Sequence, residues 1–513
     1  MPETPTTSGF VWRPAHTITL IVLCLTQLLE TLDITVVNVA LPTLRTALNF
    51  SPAGLQWVVN AYTVFFGGFL LLGGRAGDLL GRRRVFVTGT VVFASASLIS
   101  ALASNATTLI AGRGLQGIAA GFVSPMTLAI IAATFPEGKA RTRAVTAWGA
   151  VSAVSASIGL VLGGVLVDGP GWRWIFLINL PLCALVLVAA IRYLPADRPQ
   201  RRHHKFDAFG AVAATAGVGL FAYAVAQTAD HAWGSASTLS LLGAAAIALI
   251  LFAIRETRTT EPLIPPSLFA NRSVTGANLV QFLSAAAMYA LFYFMSLDLQ
   301  EVLGFSALGT AAVFMPLSAV LLMCAGLGPW LVRMAGQRIT LGCGALIVAT
   351  GMTLYAGLSP WHGTLGTIIV PSMVVAFGFA LILVPLTIAA VSGVAPSEQG
   401  VASGLLNVSR TVGGALGLAV IATVATSRTT RLGQTGHTAH QALTGGFHLG
   451  YGVAAGVAAA AAVAAMIVFG TEGRGERVDM LALAVAGAGR DDDSGDTIAV
   501  DHPVSEVHTQ QTE

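Results

Sequence analysis

The chain has 513 residues, of which 55% are hydrophobic and 10% charged, and its mean hydropathy is +0.76. A soluble domain carries roughly 25% charged residues, so this composition excludes a water-facing surface over most of the molecule and makes the lipid bilayer its main solvent. The net charge of +3 has no long basic tract with interleaved aromatics behind it, which argues against a nucleic-acid partner.

A helical span needs about 20 apolar residues. On that measure the sequence predicts fourteen segments: 17–41, 54–74, 85–104, 107–133, 144–167, 174–194, 208–228, 237–254, 274–298, 307–332, 339–358, 364–392, 400–426 and 447–470. The expected fold class is an all-α membrane protein. Arg82, Arg83, Arg84, Lys139, Arg141, Arg143, Arg198, Arg201, Arg202, Lys205, Arg255, Arg258, Arg272 and Arg338 fall in alternate connections, while the opposite ones hold Arg45, Arg173, Arg428 and Arg431. The positive-inside rule then puts both termini in the cytoplasm. The first apolar run has no small-residue cleavage site, so it reads as a span and not as a signal peptide.

Polar breaks at 195–207 and 255–273 bracket segments 7 and 8. The expected organisation is a cytoplasmic segment 1–16, a six-helix bundle 17–194, a basic loop 195–207 and accessory helices 208–254. A linker 255–273, a second six-helix bundle 274–470 and a disordered tail 471–513 complete it. A weak repeat supports the matched halves: Gly159-x-x-x-Gly163 in segment 5 is echoed by Gly413-x-x-x-Gly417 in segment 13. Small residues at that spacing let helix backbones approach closely. Related repeats place a binding site at their interface near the midplane.

Segment 1 carries Glu30 and Asp33 inside its apolar run, three residues apart and so on one helical face. A carboxylate deep in a bilayer costs at least a few kcal/mol and marks function by default. Asp33 is therefore read as a protonatable coupling group of a proton-driven transporter. Glu30 reads either as a second proton site or as a partner for Arg113. That arginine is a permanent cation within segment 4, in Arg113-Gly114-Leu115-Gln116-Gly117. It needs either a carboxylate or backbone carbonyls to accept from it.

Between segments 2 and 3 the chain reads Gly74-Arg75-Ala76-Gly77-Asp78-Leu79-Leu80-Gly81-Arg82-Arg83-Arg84. The glycines suit a tight turn, Asp78 suits a helix N-terminus or an arginine, and Arg82 and Arg83 suit the cytoplasmic surface. This stretch resembles the loop signature of the major facilitator superfamily. The Arg113 stretch resembles that family's fourth-helix signature. Ser155-Ala156-Ser157-Ile158-Gly159-Leu160-Val161-Leu162-Gly163-Gly164 resembles its exporter-associated signature, with Leu160 in place of a proline and Ser155 in place of a glycine. A degenerate echo of the loop, Leu331 to Gly336, carries Arg333 where an acid is usual. Leu32 to Pro42 and Trp172 to Pro181 resemble the fourteen-span drug:proton antiporter branch.

The resemblance implies a major facilitator fold of two six-helix bundles plus two accessory helices. It also implies export of small amphipathic, often cationic, compounds in exchange for protons. Leu160 leaves direction open between export and uptake. No HExxH, GxSxG or P-loop pattern points to an enzyme or to ATP-driven pumping. No cofactor is expected beyond the proton gradient, no metal is expected, and a monomer is. Asn38, Asn60, Tyr62, Gln116, Asn278, Gln281, Tyr289, Tyr293, Asn407 and Arg410 are polar or amphipathic residues within spans. Individually they suit interhelical hydrogen bonds, and as a set they suit a cavity lining. Asp298 reads as a solvated helix end or a recruiter of cationic cargo. Cys24, Cys183, Cys324 and Cys343 read as small core residues.

Overall fold

The computed structural model describes residues 12–136, 139–194, 208–228, 233–259, 267–324, 326–357, 366–394 and 399–469. The expected loop 195–207, the tail 471–513, residues 260–266 of the linker and the side chain of Asp78 lie outside the described residues. Fourteen long helices make up the described chain. They are α1 (Pro14–Ala47), α2 (Trp57–Leu80), α3 (Arg82–Ala101), α4 (Ala106–Thr134), α5 (Lys139–Asp168), α6 (Asn179–Tyr193) and α7 (Ala208–Gln227). The rest are α8 (Ala236–Arg258), α9 (Arg272–Leu297), α10 (Ala307–Cys324), α11 (Gln337–Gly357), α12 (Gly366–Val391), α13 (Gln399–Gln434) and α14 (Ala439–Val468). Among the described residues, twelve helical segments are long and apolar enough to cross a membrane, while α2 and α5 contain shorter apolar stretches, Trp57–Leu70 and Ile158–Asp168.

Several boundaries differ from those predicted, and three of the differences change how the helices are divided or ended. The opening helix continues through Pro42 to Ala47. A mid-helix proline costs a backbone hydrogen bond, but Leu41 and Leu44 on either side are fully buried, and that packing holds the last turn. Segment 10 divides into α10 and a separate helix Leu327–Ala335. Segment 9 ends in a π-helical turn, Asp298–Val302; such turns interrupt helices at functional positions more often than elsewhere.

The last six helices repeat the packing of the first six. α1 packs on α5 as α9 packs on α13, α2 on α4 as α10 on α12, and α3 on α6 as α11 on α14. The glycines expected to permit this do so. A Cβ at Gly163 would stand 3.1 Å from the Val36 backbone of α1, and one at Gly413 would stand 2.3 Å from the Phe282 carbonyl oxygen of α9. The loop signature repeats as well: Gly81 and Gly336, each just before α3 or α11, have φ of +96° and +84°. Side chains other than glycine rarely adopt that region. Gly74, by contrast, lies inside α2 and makes no turn.

The halves meet along α2–α13 and α5–α10. They also meet at the end carrying the C terminus of α1. There Arg45 pairs with Glu301 at 2.6 Å. The Ser296 hydroxyl donates to the Asn38 carbonyl at 2.5 Å, and Gln300 donates to the Val39 carbonyl at 2.9 Å. Asp168 at the end of α5 accepts from the Ala307 and Leu308 N–H groups at 3.2 and 2.8 Å. This carboxylate caps the first turn of α10 from the other half, where helix N–H groups lack partners. A Cβ at Gly164 would come within 2.7 Å of Leu308 Cα, so the glycine permits that closure. The accessory helix α7 covers the α2–α13 seam, with Thr215 against Gly68 and the Thr423 hydroxyl donating to the Val225 carbonyl at 3.3 Å.

Candidate functional site

Asp33 faces the interior of the first six helices and is 1% exposed. Its Oδ2 accepts from Arg113 Nη1 at 2.5 Å. Its Oδ1 accepts from Gln116 Nε2 at 3.0 Å and Asn179 Nδ2 at 2.7 Å. Every group on the carboxylate is a donor, which suits the ionised acid, an acceptor only. Arg113 also donates from Nε to the Val58 carbonyl and from Nη1 to Gln116 Oε1, both at 3.0 Å. Its guanidinium lies 4.5 Å from the Tyr62 ring centre, a cation–π placement. The two sequence readings of Arg113, carboxylate partner or carbonyl anchor, both hold at once.

Two members of this cluster escaped the sequence reading. Ser97 on α3 accepts from Gln116 at 2.8 Å, and Asn179 opens α6 beside it. Asn179 had a signal, a lone amide in the stretch from Trp172 to Pro181. Ser97 had none, since Ser95 and Ser100 flank it in the same run. Five helices thus converge on one ion pair: α1, α2, α3, α4 and α6.

Glu30 does not share this cluster. Arg113 is paired with Asp33, and Glu30 instead neighbours Ser124 of α4. Its side chain is buried, and Oε1 has no hydrogen-bond partner. Three residues place two carboxylates on adjacent rows of a helix, and here the neighbours of each row differ.

The remaining candidates separate into groups. Tyr62 on α2 and Tyr289 on α9 lie within electrostatic reach of each other across the seam between halves. Tyr289 packs on Gly414 of α13 and lies within reach of Arg410. Arg410 and Asn407 are exposed on one face of α13. Asn278 accepts from the Ser409 hydroxyl at 2.7 Å, an interhelical bond as expected, whereas Asn38 donates within its own helix to Ile34. Gln281 is buried. Asn60 corrects the expectation of interhelical hydrogen bonds: it is fully buried, and neither amide atom has a partner.

Asp298 is not the solvated helix end the sequence suggests. It is half-buried against α11 and α14, near Tyr355 and Tyr451, because α9 continues past it as the π-helical turn. Tyr293 lines a cavity of about 90 Å³ at the closed end with Arg45, Leu297, Glu301, Thr426 and Phe447. In the loop signature, Arg82 donates to the Ala129 carbonyl of α4 at 3.0 Å, and Arg83 donates to the Ile191 carbonyl of α6. Ile191 lies in the last turn of α6, where carbonyls lack partners and cations are favoured. All four cysteines are free thiols.

Spanning-length apolar helices around a buried ion pair define a multi-pass membrane protein. The chain belongs to the Major Facilitator Superfamily, whose sequence profile matches residues 23–418. It is therefore a transporter of the cell membrane and not an enzyme. It is 41% identical over 410 residues to the cephamycin export protein CmcT of Amycolatopsis lactamdurans, covering 79% of this chain and 84% of that one. It is 37% identical over 405 residues to the puromycin resistance protein pur8 of Streptomyces alboniger, covering 78% and 80%. Among solved structures, an auto-inhibited POT family peptide transporter matches with a TM-score of 0.63 at 18% identity, over 89% of this chain and 98% of that one. At that identity the likeness concerns fold alone.

Proposed function

We propose that the chain is an exporter that exchanges small amphipathic compounds for protons. Its relatives' names, cephamycin export and puromycin resistance, support the direction and the kind of cargo. The observation that carries proton coupling is the Asp33–Arg113 pair, fully buried among five helices. We count α2 and α5 as spans beside the twelve, which makes fourteen, and put both termini in the cytoplasm. The closed end is then the outer end, and the conformation faces inward.

The mechanism follows from charge. With the outer end open, Asp33 reaches external solvent and takes a proton. Neutralising it removes the ion pair, and cargo and proton then favour each other's departure. Rocking of the two halves alternates access. No cofactor takes part; the proton gradient supplies the work. One pH unit is worth about 1.4 kcal/mol per proton, and 100 mV adds about 2.3 kcal/mol per net charge moved. A cargo of zero net charge exchanged for one proton is thus concentrated several-hundred-fold, a monocation only about tenfold. In everted membrane vesicles, a proton gradient acid inside drives puromycin into the lumen if the chain exports it. Loss of lumenal puromycin under the same gradient contradicts export and supports uptake by the same fold.

A further inference from the structure

Arg410 is the single charged residue of α13 between Val401 and Ser427. It stands roughly 14 Å along the helix from Val401, at 1.5 Å per residue. A cation at that depth is costly unless it faces water or a partner, and a guanidinium does not shed its proton to relieve the cost. Arg410 is exposed, and it makes no hydrogen bond or ion pair among the described residues.

The contacts of its neighbours fix where it points. Successive residues of an α-helix turn by about 100°. On one side, the Ser409 hydroxyl donates to Asn278 Oδ1 of α9 at 2.7 Å, and Gly413 abuts Phe282 of the same helix. On the other side, Thr411 packs on Gly67 of α2, its Cγ2 3.1 Å from where a Cβ would stand. Arg410 lies between these contacts, so it faces the gap between α2 of the first half and α9 of the second.

The same face of α13 carries two further groups. One turn on, Tyr289 of α9 packs on Gly414, with Cδ2 2.7 Å from where a Cβ would stand, so the missing side chain makes room for the ring. One turn back, Asn407 is exposed and donates within its own helix to the Ser403 carbonyl at 3.4 Å. The carboxylates of α1 have other surroundings: Asp33 is paired with Arg113, and Glu30 is buried beside Ser124. A cation left open in the gap between the halves repels a cationic group and favours an anionic one.

We propose that the cargo presents an anionic group, a carboxylate or similar oxyanion, to Arg410, with its apolar part against Tyr289. The proposal deepens the exporter reading, and rests on it for the gap being the path of cargo; binding itself needs no gradient. The planar fork of an arginine meets a carboxylate with two parallel hydrogen bonds. Each anionic charge carried outward also moves along an inside-negative potential, so such a group adds to the driving force that the proton supplies.

The test uses the full chain in nanodiscs of phosphatidylcholine, with empty nanodiscs as the blank, and equilibrium dialysis of two probes. They are dansylglycine, a carboxylate, and dansylglycinamide, its uncharged counterpart of nearly the same shape. The acid is expected to bind about tenfold more tightly than the amide. Arg410→Gln is expected to bring the acid down to the affinity of the amide while leaving the amide as it was, and Arg410→Lys to keep part of the difference. Equal affinity for acid and amide in the unmodified chain overturns the proposal. So does failure of the acid to bind, or equal weakening of acid and amide by Arg410→Gln. If the binding pattern holds while everted vesicles show no gradient-driven movement of dansylglycine, the exporter reading fails and the anion site stands. If vesicles accumulate the amide while the acid has no advantage in binding, the anion site fails and the exporter reading stands.

Discussion

Arg113 answers to Asp33 on one side and to the Val58 carbonyl and the Tyr62 ring on the other. Removing one member of a buried ion pair costs about 3–5 kcal/mol, because the other is left charged in a low dielectric. Arg113→Ala is expected to lower the thermal unfolding temperature of the purified chain well below that of Asp33→Asn. The asparagine still answers neighbouring donors, and Arg113 keeps its carbonyl and ring. The double variant is expected to recover part of the Arg113→Ala loss, measured as a double-mutant cycle; strict additivity contradicts the pairing. Sequence made this pair legible, since two opposite charges in apolar segments demand partners. It left open which of Glu30 and Asp33 answers Arg113, because three residues of separation leave the neighbours of each row unspecified. Nor did it reach Ser97, an ordinary small residue until its hydrogen bonds are seen.

Helices come together at the end carrying the C terminus of α1 through contacts that differ in strength. The Arg45–Glu301 pair is partly exposed, and such pairs contribute about 1 kcal/mol or less. That suits a latch opened once per cycle, as a buried pair does not. Glu301→Gln is expected to loosen it. With the four native cysteines replaced by serine, a cysteine at Leu297 then reacts at least about threefold faster with an impermeant maleimide added outside; an unchanged rate contradicts the latch. Gly164 acts at the same end by lacking a side chain, since a Cβ there meets the Leu308 backbone at 2.7 Å. Gly164→Val is expected to abolish transport while the chain still inserts, read by vesicle uptake beside membrane-fraction yield. GxxxG spacing pointed to close packing, but only the structure shows that Gly164 meets the opposite half while Gly159 and Gly163 meet α1.

For the whole molecule, alternating charge between segments and matched glycine patterns made the two-fold plan readable from sequence. The positive-φ glycines 81 and 336 repeat it in the backbone. Less legible was the place of the accessory pair. Composition marks α7 as apolar, but its seat over the α2–α13 seam depends on tertiary packing that periodicity does not encode. The proposed count of fourteen spans, with both ends inside, predicts a topology. Reporters fused at residues 1 and 513 read as cytoplasmic, and one inserted at Trp233 reads as external; a reporter of opposite sense at 513 contradicts the count.

The central claim is that ionisation of one buried acid is exchanged for cargo. Its most direct measurement is proton release from the purified chain in weakly buffered detergent when the best-transported compound is added. The unmodified chain is expected to release protons in proportion to cargo bound, and Asp33→Asn, folded and inserted, to release none. Undiminished release from Asp33→Asn would contradict the claim and move the coupling group elsewhere.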